Sequence, residues 1–356
     1  MKIGIVIYGS LDTLSGGYLY DRKLVEYLRA QGDTVEIISL PWRNYGAHLA
    51  DNLSFRLPPG LDLLIQDELN HPSLIFANRS KPYPVVSLVH HLRCSELRPA
   101  WQNWFYRIVE KRYLQGVDGF IFNSQTTRGV VNRLVLDEKP FVVAYPPTER
   151  FGVGVTEAEI EARAQIGPLR ILFLGNVIER KGLHTLLEAL RLLDTGHWAL
   201  DIIGSLTSDP PYATMVQRYA AERVPGVVTF HGALDNAPLV EKLKAAHLLV
   251  VPSSYEGFGI VYLEGMGFGL PAIGTTAGAA GEIIESGKTG YLIEPGDHKT
   301  LAARLMELSQ NRSLLEQLSV NALARYACQP RWEQTCAEIR TFLQQQISLH
   351  AQKQTP

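Results

Sequence analysis

The chain is poor in cysteine. Its 356 residues include three, Cys94, Cys328 and Cys336, with no Cys-x-x-Cys pair. An odd, scattered set excludes a disulfide-stapled fold and a cysteine-based zinc site, and fits a reducing compartment. An excess of charge of either sign is also missing. There are 34 Lys+Arg against 36 Asp+Glu, and residues 1–168 hold 18 of each, so neither half carries the basic surplus of a nucleic-acid binder. Long hydrophobic runs are lacking too. LLVV at 248–251 is typical, far below the ~18 residues that span a bilayer. The opening MKIGIVIYGS has one lysine and an apolar run too short for a signal peptide, and reads as a first strand. These absences lead us to expect a cytoplasmic protein, with peripheral contact at the inner membrane face left open.

Two nucleotide fingerprints are absent as well. After the first strand the sequence reads YGSLDTLSGG, without the GxGxxG of dehydrogenases. Gly281 to Gly287-Lys288-Thr289 imitates a P-loop, but five residues separate its glycines and a strand follows where a helix should begin.

What is present is an alternation of short apolar runs with segments of helical period, the pattern of parallel sheets with crossover helices. Strands are predicted at Ile3–Tyr8, Thr34–Ser39, Asp62–Gln66, Val85–Val89, Gly119–Phe122 and Phe141–Ala144. A second series begins at Arg170 and continues at Leu200–Gly204, Val227–His231, His247–Val251, Pro271–Gly274 and Tyr291–Ile293. The length also favours two domains. We expect an α/β protein of two Rossmann-like domains facing an interdomain cleft, with boundaries 1–167 and 168–330. A terminal helix at about 331–348, spaced by Trp332, Cys336, Ile339 and Phe342, should pack across one domain or reach back to the first.

The most informative stretch is PSSYEGFGIVYLEGMGFGLP at 252–271. Gly257 and Gly259 fall at a strand-to-helix turn, where Phe258 to Val261 would offer backbone N–H groups to a diphosphate. Glu256 and Glu264, seven residues apart, would accept hydrogen bonds from sugar hydroxyls. A plainer reading makes Glu264 a solvated helix residue and the glycines packing devices. Ser15-Gly16-Gly17 opens the first helix, where glycines admit a ligand close to the backbone, although a glycine pair there is also an ordinary tight turn.

The 256–264 stretch resembles the E-x7-E motif of retaining glycosyltransferases of the GT-B architecture, family four. Further matches run in order: SGG at 15–17, His90 at the end of PVVSLVHH, Asn123-Ser124, GNVIERKG at 175–182, AGAAGE at 277–282 and GYLIEPGD at 290–297. The resemblance implies a first domain that holds the acceptor and a second that holds a nucleotide-sugar donor. It implies that Lys181, helped by Arg180, binds the diphosphate, and that Glu264 holds the ribose. Glu256 would contact the donor sugar, with Phe258, Gly259 and Ile260 supplying backbone donors, and Gly16 and Gly17 would lie beside the donor. Backbone near Gly232–Leu234 would meet the base, and His90 would stand by the reacting centre. His90, Glu256 and Lys181 are thus the expected catalytic residues. Asn176 replaces a customary arginine, His91 a residue that is often acidic, and Pro146-Pro147 a frequent Asn-Gly.

The activity implied is metal-independent, retaining transfer of a sugar from a UDP- or GDP-sugar to a saccharide, lipid or small-molecule hydroxyl, by front-side attack. No Asp-x-Asp triplet occurs, and neither metal nor cofactor is expected. A non-catalytic sugar-nucleotide binder and a GT-B sugar-nucleotide epimerase are the alternatives. On the acceptor side, QDELNHPS at 66–73 and RPAWQNWFYRIVEKRYL at 98–114 stand out. The second mixes aromatic and basic residues, which suits peripheral membrane contact. It also suits an ordinary amphipathic helix with Trp101, Phe105 and Ile108 toward the core, which is the favoured reading.

Overall fold

The computed structural model describes residues 1–354 apart from Leu14, Leu97, Thr148, Thr195, Pro225 and Gly226. The chain forms two compact units, Met1–Pro147 with Pro330–Pro356, and Thr148–Gln329. In the first, β1 (Lys2–Tyr8), β2 (Thr34–Leu40), β3 (Leu63–Asp67), β4 (Val85–Val89), β5 (Gly119–Phe122) and β6 (Phe141–Val143) make a parallel sheet in the order β2-β1-β3-β4-β5-β6. Its helices include α1 (Gly16–Ala30), α2 (Tyr45–Asp51), α3 (His71–Leu74), α4 (Ala100–Gly116) and α5 (Gln125–Leu134).

The second unit starts with α6 (Glu157–Ala164). Its sheet contains β7 (Leu169–Leu174), β8 (Trp198–Ile203), β9 (Val228–Gly232), β10 (Leu248–Val250), β11 (Ala272–Thr275) and β12 (Gly290–Ile293), ordered β12-β11-β10-β7-β8-β9 and parallel throughout. Between and after them run α7 (Leu183–Leu190), α8 (Pro210–Arg223), α9 (Asn236–Ala245), α10 (Ile260–Met266), α11 (His298–Gln310) and α12 (Arg312–Ala327). The last helix, α13 (Trp332–Gln354), belongs to the first unit. All twelve predicted strands are present with ends shifted by two residues at most. Their legibility has a simple cause: parallel strands covered on both faces are mostly apolar, and β3 and β4 are buried at every position, with Gln66, Asp67 and Ser87 as their polar members.

Alternation along β1 sends Ile3, Ile5 and Ile7 to one face and Val6 to the other. The first face packs on Leu24 and Leu28 of α1 and on Cys336, Ile339, Phe342 and Leu343 of α13. An ion pair closes this layer. Arg340 Nε lies 2.8 Å from Asp33 Oδ2, and the N-terminal ammonium lies 2.8 Å from Asp33 Oδ1. Burial pushes the Asp33 carboxyl up, but both cations outweigh that and hold it below the usual carboxylate range.

Two sequence expectations differ from what is found. Residues 149–167, expected with the first half, pack within the second unit. Arg163 Nη2 donates to the carbonyls of Phe268 and Gly269 at 3.0 Å, and a Cβ on Gly269 would lie 2.4 Å from Ile160 Cδ1. In α4 the core-facing side is Val109, Glu110, Tyr113 and Leu114, whereas Trp101, Phe105 and Ile108 are exposed. Among the described residues no helix is long and apolar enough to cross a membrane, and all three cysteines are free thiols.

Arg340→Ala leaves a buried carboxylate with one of its two cations, the ammonium of Met1, among the described residues. It should lower the unfolding free energy at pH 7 by about 1–3 kcal/mol in urea titrations. Because the folded carboxyl titrates low, the pair's contribution is present above the unfolded value near ~3.9 and fades as pH falls through the folded one. The difference between variant and native protein should therefore shrink in acid.

Candidate functional site

In an open α/β sheet, ligands bind beyond the carboxyl ends of the strands where strand order reverses. In the second unit that point lies between β7 and β10, and the loops leaving those two strands carry GNVIERKG and PSSYEG. Gly182 has φ 71° and a Cβ there would lie 2.0 Å from the Pro252 carbonyl oxygen, so the two loops touch backbone to backbone. Ser254 N donates to Arg180 O at 2.8 Å, and Arg180 Nη1 to Tyr255 O at 2.7 Å.

This contact brings Lys181 Nζ onto Glu256 Oε1 as a direct ion pair. Ser253 Oγ donates to the same oxygen at 2.9 Å, and Arg180 Nη1 stands 3.7 Å away. Glu256 is buried. Burial pushes its carboxyl up, but Lys181, Arg180 and the Ser253 hydroxyl outweigh that and hold it below the usual carboxylate range. AGAAGE supports the backbone that carries this carboxylate. Gly278, at φ 88°, passes so close that a Cβ would lie 2.0 Å from Glu256 O, and Ala279 N donates to that oxygen at 2.8 Å.

Glu264 is on α10, which starts at Ile260 after Gly259 in a left-handed conformation, φ 94°, as its cap. It is buried, against the solvated reading of that position. Its partner is Arg150, with Nη1 at 3.1 Å, and Arg150 Nη2 donates to Asn236 Oδ1 at 2.9 Å. Asn236 opens α9, two residues after Leu234, so one guanidinium joins Glu264 to the loop expected to meet the base. Burial raises the Glu264 carboxyl above its ordinary value despite that arginine. Phe258 is buried beside these residues in sequence, and Ile260 forms the first turn of α10.

The first unit has its own cluster at the reversal between β1 and β3. Ser15 caps α1, and Gly17 in its first turn leaves room for His90, whose Cδ2 would be 3.3 Å from a Cβ there. His90 Nε2 lies 3.1 Å from Asp21 Oδ1, and the His90 carbonyl accepts from Asn123 Nδ2 at 2.8 Å. Asp67, at the end of β3, completes a trio whose polar atoms all lie within 4.8 Å of one another. Burial disfavours the His90 imidazolium, yet the Asp21 hydrogen bond and the charges of Asp21, Asp67 and Glu68 outweigh it, and the ring titrates above its ordinary value. Asp67 is raised by burial and then by the Asp21 charge. His91 turns elsewhere, with Nε2 3.1 Å from Glu96 Oε1.

A second trio, Glu68, His71 and Glu110, lies within the same 4.8 Å limit and is fully buried. Burial pushes Glu68 to about 8 and, with Glu68, Glu110 to about 7, and lowers His71 to about 4. Both His71 nitrogens are engaged, Nδ1 with Glu68 O at 3.0 Å and Nε2 with the Tyr45 hydroxyl at 2.9 Å. This trio therefore reads as a proton-rich packing group, with His71 neutral.

Sequence reasoning did not single out Asp21 or Arg150. Asp21 stands one helical turn beyond Gly16-Gly17, a spacing that places it on the same side of α1 and was available as a signal. Arg150 had none, since its partners lie 86 and 114 residues away.

Comparison with known proteins adds the family. Glycogen synthase of Mycobacterium tuberculosis is 28% identical over 201 residues, covering 52% of this chain and 48% of that protein. The chain thus spans about half the length of that curated relative. Sucrose-phosphate synthase from Thermosynechococcus elongatus superposes with TM-score 0.81 at 20% identity, over 98% of this chain and 99% of that one. HepE of Anabaena, in complex with UDP and glucose, gives TM-score 0.74 at 18% identity over 97% and 99%. These likenesses carry the two-domain GT-B fold. The family model described as Glycosyl transferases group 1 matches residues 148–325, half of the chain and nearly all of the unit that holds Lys181, Glu256 and Glu264, and the chain belongs to that family.

Proposed function

We propose that this protein is a retaining, metal-independent glycosyltransferase of family four that moves a sugar from a UDP- or GDP-sugar to a saccharide, lipid or small-molecule hydroxyl. The observation that carries this reading is the convergence of Lys181, Arg180 and Glu256 at the β7/β10 reversal, with Glu264 on the helix that follows. Two cations against one carboxylate leave a net positive charge for a diphosphate. A compact ammonium and a guanidinium can neutralise the charge that builds on the leaving group without a metal ion.

In this reading Lys181 and Arg180 take the diphosphate, and the amides at Phe258, Gly259 and Ile260 add donors. Glu256, anionic and released from Lys181, accepts from the donor sugar's hydroxyls. Glu264 accepts from the ribose hydroxyls, with Arg150 as its counter-ion. Backbone at Leu234 meets the base, and Gly16 and Gly17 leave space beside His90. His90 serves the transferred sugar, and Asp21, bonded to its Nε2, is its positioning residue. Front-side attack on the anomeric carbon needs little general-base chemistry, because the departing phosphate oxygen receives the acceptor's proton while the new glycosidic bond forms on the same face. The protein's part is positioning and electrostatic stabilisation. A cytoplasmic setting fits the three free thiols.

Thermal-shift titration with UDP, GDP and ADP tests the donor site. The best diphosphate at ~100 times its Kd should stabilise the protein by about 2.7 kcal/mol. Lys181→Ala and Glu264→Ala should weaken that binding, and Glu256→Ala should chiefly lower turnover. Lack of response to every nucleotide would sink the reading, and binding without any glycoside product would leave a sugar-nucleotide binder.

Acid should weaken donor binding earlier than an ordinary carboxylate would. As pH falls through the raised Glu264 value, the carboxyl protonates and stops accepting from ribose. Donor affinity measured at successively lower pH should fall in native protein before an ordinary carboxyl would protonate, and Glu264→Gln should remove that part of the pH dependence.

His90 carries the opposite sign. Its folded value is raised, so the Asp21 pair stabilises the protein at low pH and loses that contribution as pH rises through it. Asp21→Asn should return the His90 NMR titration toward the free value of ~6.5. The variant should also destabilise the fold more in mild acid than in base. An unchanged His90 titration would remove Asp21 from the site.

A further inference from the structure

Helix α4 buries one side and leaves an unusual one in solvent. Trp101, Trp104, Phe105 and Ile108 follow the i, i+3, i+4, i+7 spacing of a single stripe. They are 70%, 66%, 40% and 44% exposed. Four large apolar side chains in one exposed row differ from the scattered singles common on soluble surfaces. The charges beside them are of one sign. Arg107, Lys111 and Arg112 are exposed, while the helix's one acidic residue, Glu110, is buried and accepts from the amides of Arg93 and Cys94. This happens in a chain whose overall charge is nearly balanced. The composition repeats at Trp42-Arg43, both exposed, just before α2. Tyr45 of α2 ties the two segments together, its ring 6.0 Å from Phe105 and 4.9 Å from Tyr106.

We propose that the exposed face of α4 docks the protein onto the surface of a bilayer rich in anionic headgroups. Tryptophan and phenylalanine rings settle at the boundary between headgroups and acyl chains, and the basic side chains reach the phosphates from the same helix. Charge complementarity selects this occupant: a protein partner would have to match an apolar row whose own helix exposes only cations among its charged residues, whereas an anionic bilayer offers both features over any area. The docking surface belongs to the first unit, shares no residue with the donor site, and does not depend on the transferase reading. Taken with that reading, it makes an acceptor hydroxyl displayed at a membrane surface the natural substrate class.

The test is co-sedimentation of the full chain with vesicles of phosphatidylcholine alone and of phosphatidylcholine with about 30% phosphatidylglycerol, at low and high salt. Binding should need the anionic lipid and weaken with salt. Arg107→Glu with Lys111→Glu and Arg112→Glu should reduce partitioning on the order of 100-fold. Trp101→Ala with Trp104→Ala should reduce it at both salt concentrations. All five side chains are exposed, so circular dichroism and the nucleotide-induced thermal shift should match native protein, separating failure here from failure of the donor site. The proposal falls if native protein stays in the supernatant with anionic vesicles. It falls equally if both variants pellet like native. A native dimer in solution that the tryptophan variant converts to monomer, with no vesicle binding, would assign the stripe to a second copy of the chain and overturn it.

Discussion

The proposed donor site depends on one constraint, the backbone contact between the loops leaving β7 and β10. Parallel strands send every following loop out of the same edge, and the strand order makes these two neighbours. Only glycine at 182, with no Cβ to meet the Pro252 carbonyl, lets the loops close to bonding distance. Their closure places two cations against Glu256. A carboxylate this buried is tolerated only with its charge compensated and its oxygens bonded. Lys181 supplies the charge, Ser253 a hydroxyl bond, and Gly278 the close backbone on the other side. The motifs at 175–182, 252–257 and 277–282 are thus one object in space, although up to about a hundred residues separate them in sequence.

Legibility followed how local the physics is. Strands buried on both faces read directly as apolar runs, and the Glu256 and Glu264 spacing is fixed by a single loop and helix. Arg150 was invisible because a guanidinium in a connector carries no local mark of the carboxylate it will meet. The boundary near 147 was read instead at 167 because Pro146-Pro147 and Gly167-Pro168 are both breakers. Composition does not say on which unit the helix between them lies, and Ile160 filling the space over Gly269 decides it. In α4 the periodicity is real on two faces. Val109, Tyr113 and Leu114 form one apolar side and Trp101, Phe105 and Ile108 another, and period alone cannot choose between them. Glu110 could have misled further, since a charged residue marks the buried side.

Glu256 and Glu264 come from one motif yet are pushed in opposite directions. Both are buried, which by itself raises a carboxyl. Glu256 has a lysine in direct contact and an arginine at 3.7 Å, and ends below the usual range. Glu264 has one arginine, itself shared with Asn236 and partly exposed to solvent, and ends above it. In the proposed function the difference suits two tasks. A carboxylate that shares its cations with a diphosphate would have to stay anionic, holding Lys181 until the phosphates take it. One that meets only ribose hydroxyls would need no such reserve, and a single counter-ion on a connector would suffice.

The same logic separates the two acidic trios of the first unit. Around His90 the Asp21 hydrogen bond and the neighbouring carboxylates outweigh burial and raise the ring above its ordinary value. Around His71 both ring nitrogens are engaged and burial prevails, lowering the ring and raising Glu68 and Glu110. The proton is thus drawn toward the ring in one trio and toward the carboxyls in the other. Unmet bonding capacity alone does not separate them, since Asp21 Oδ2 and Glu68 Oε1 are both buried without a hydrogen-bond partner among the described residues. What differs is the imidazole: His90 Nε2 meets a carboxylate, Asp21 Oδ1, whereas the His71 nitrogens hydrogen-bond to the Glu68 carbonyl and the Tyr45 hydroxyl. A ring paired with a carboxylate favours the added proton, and one hydrogen-bonded to neutral groups in a buried setting does not.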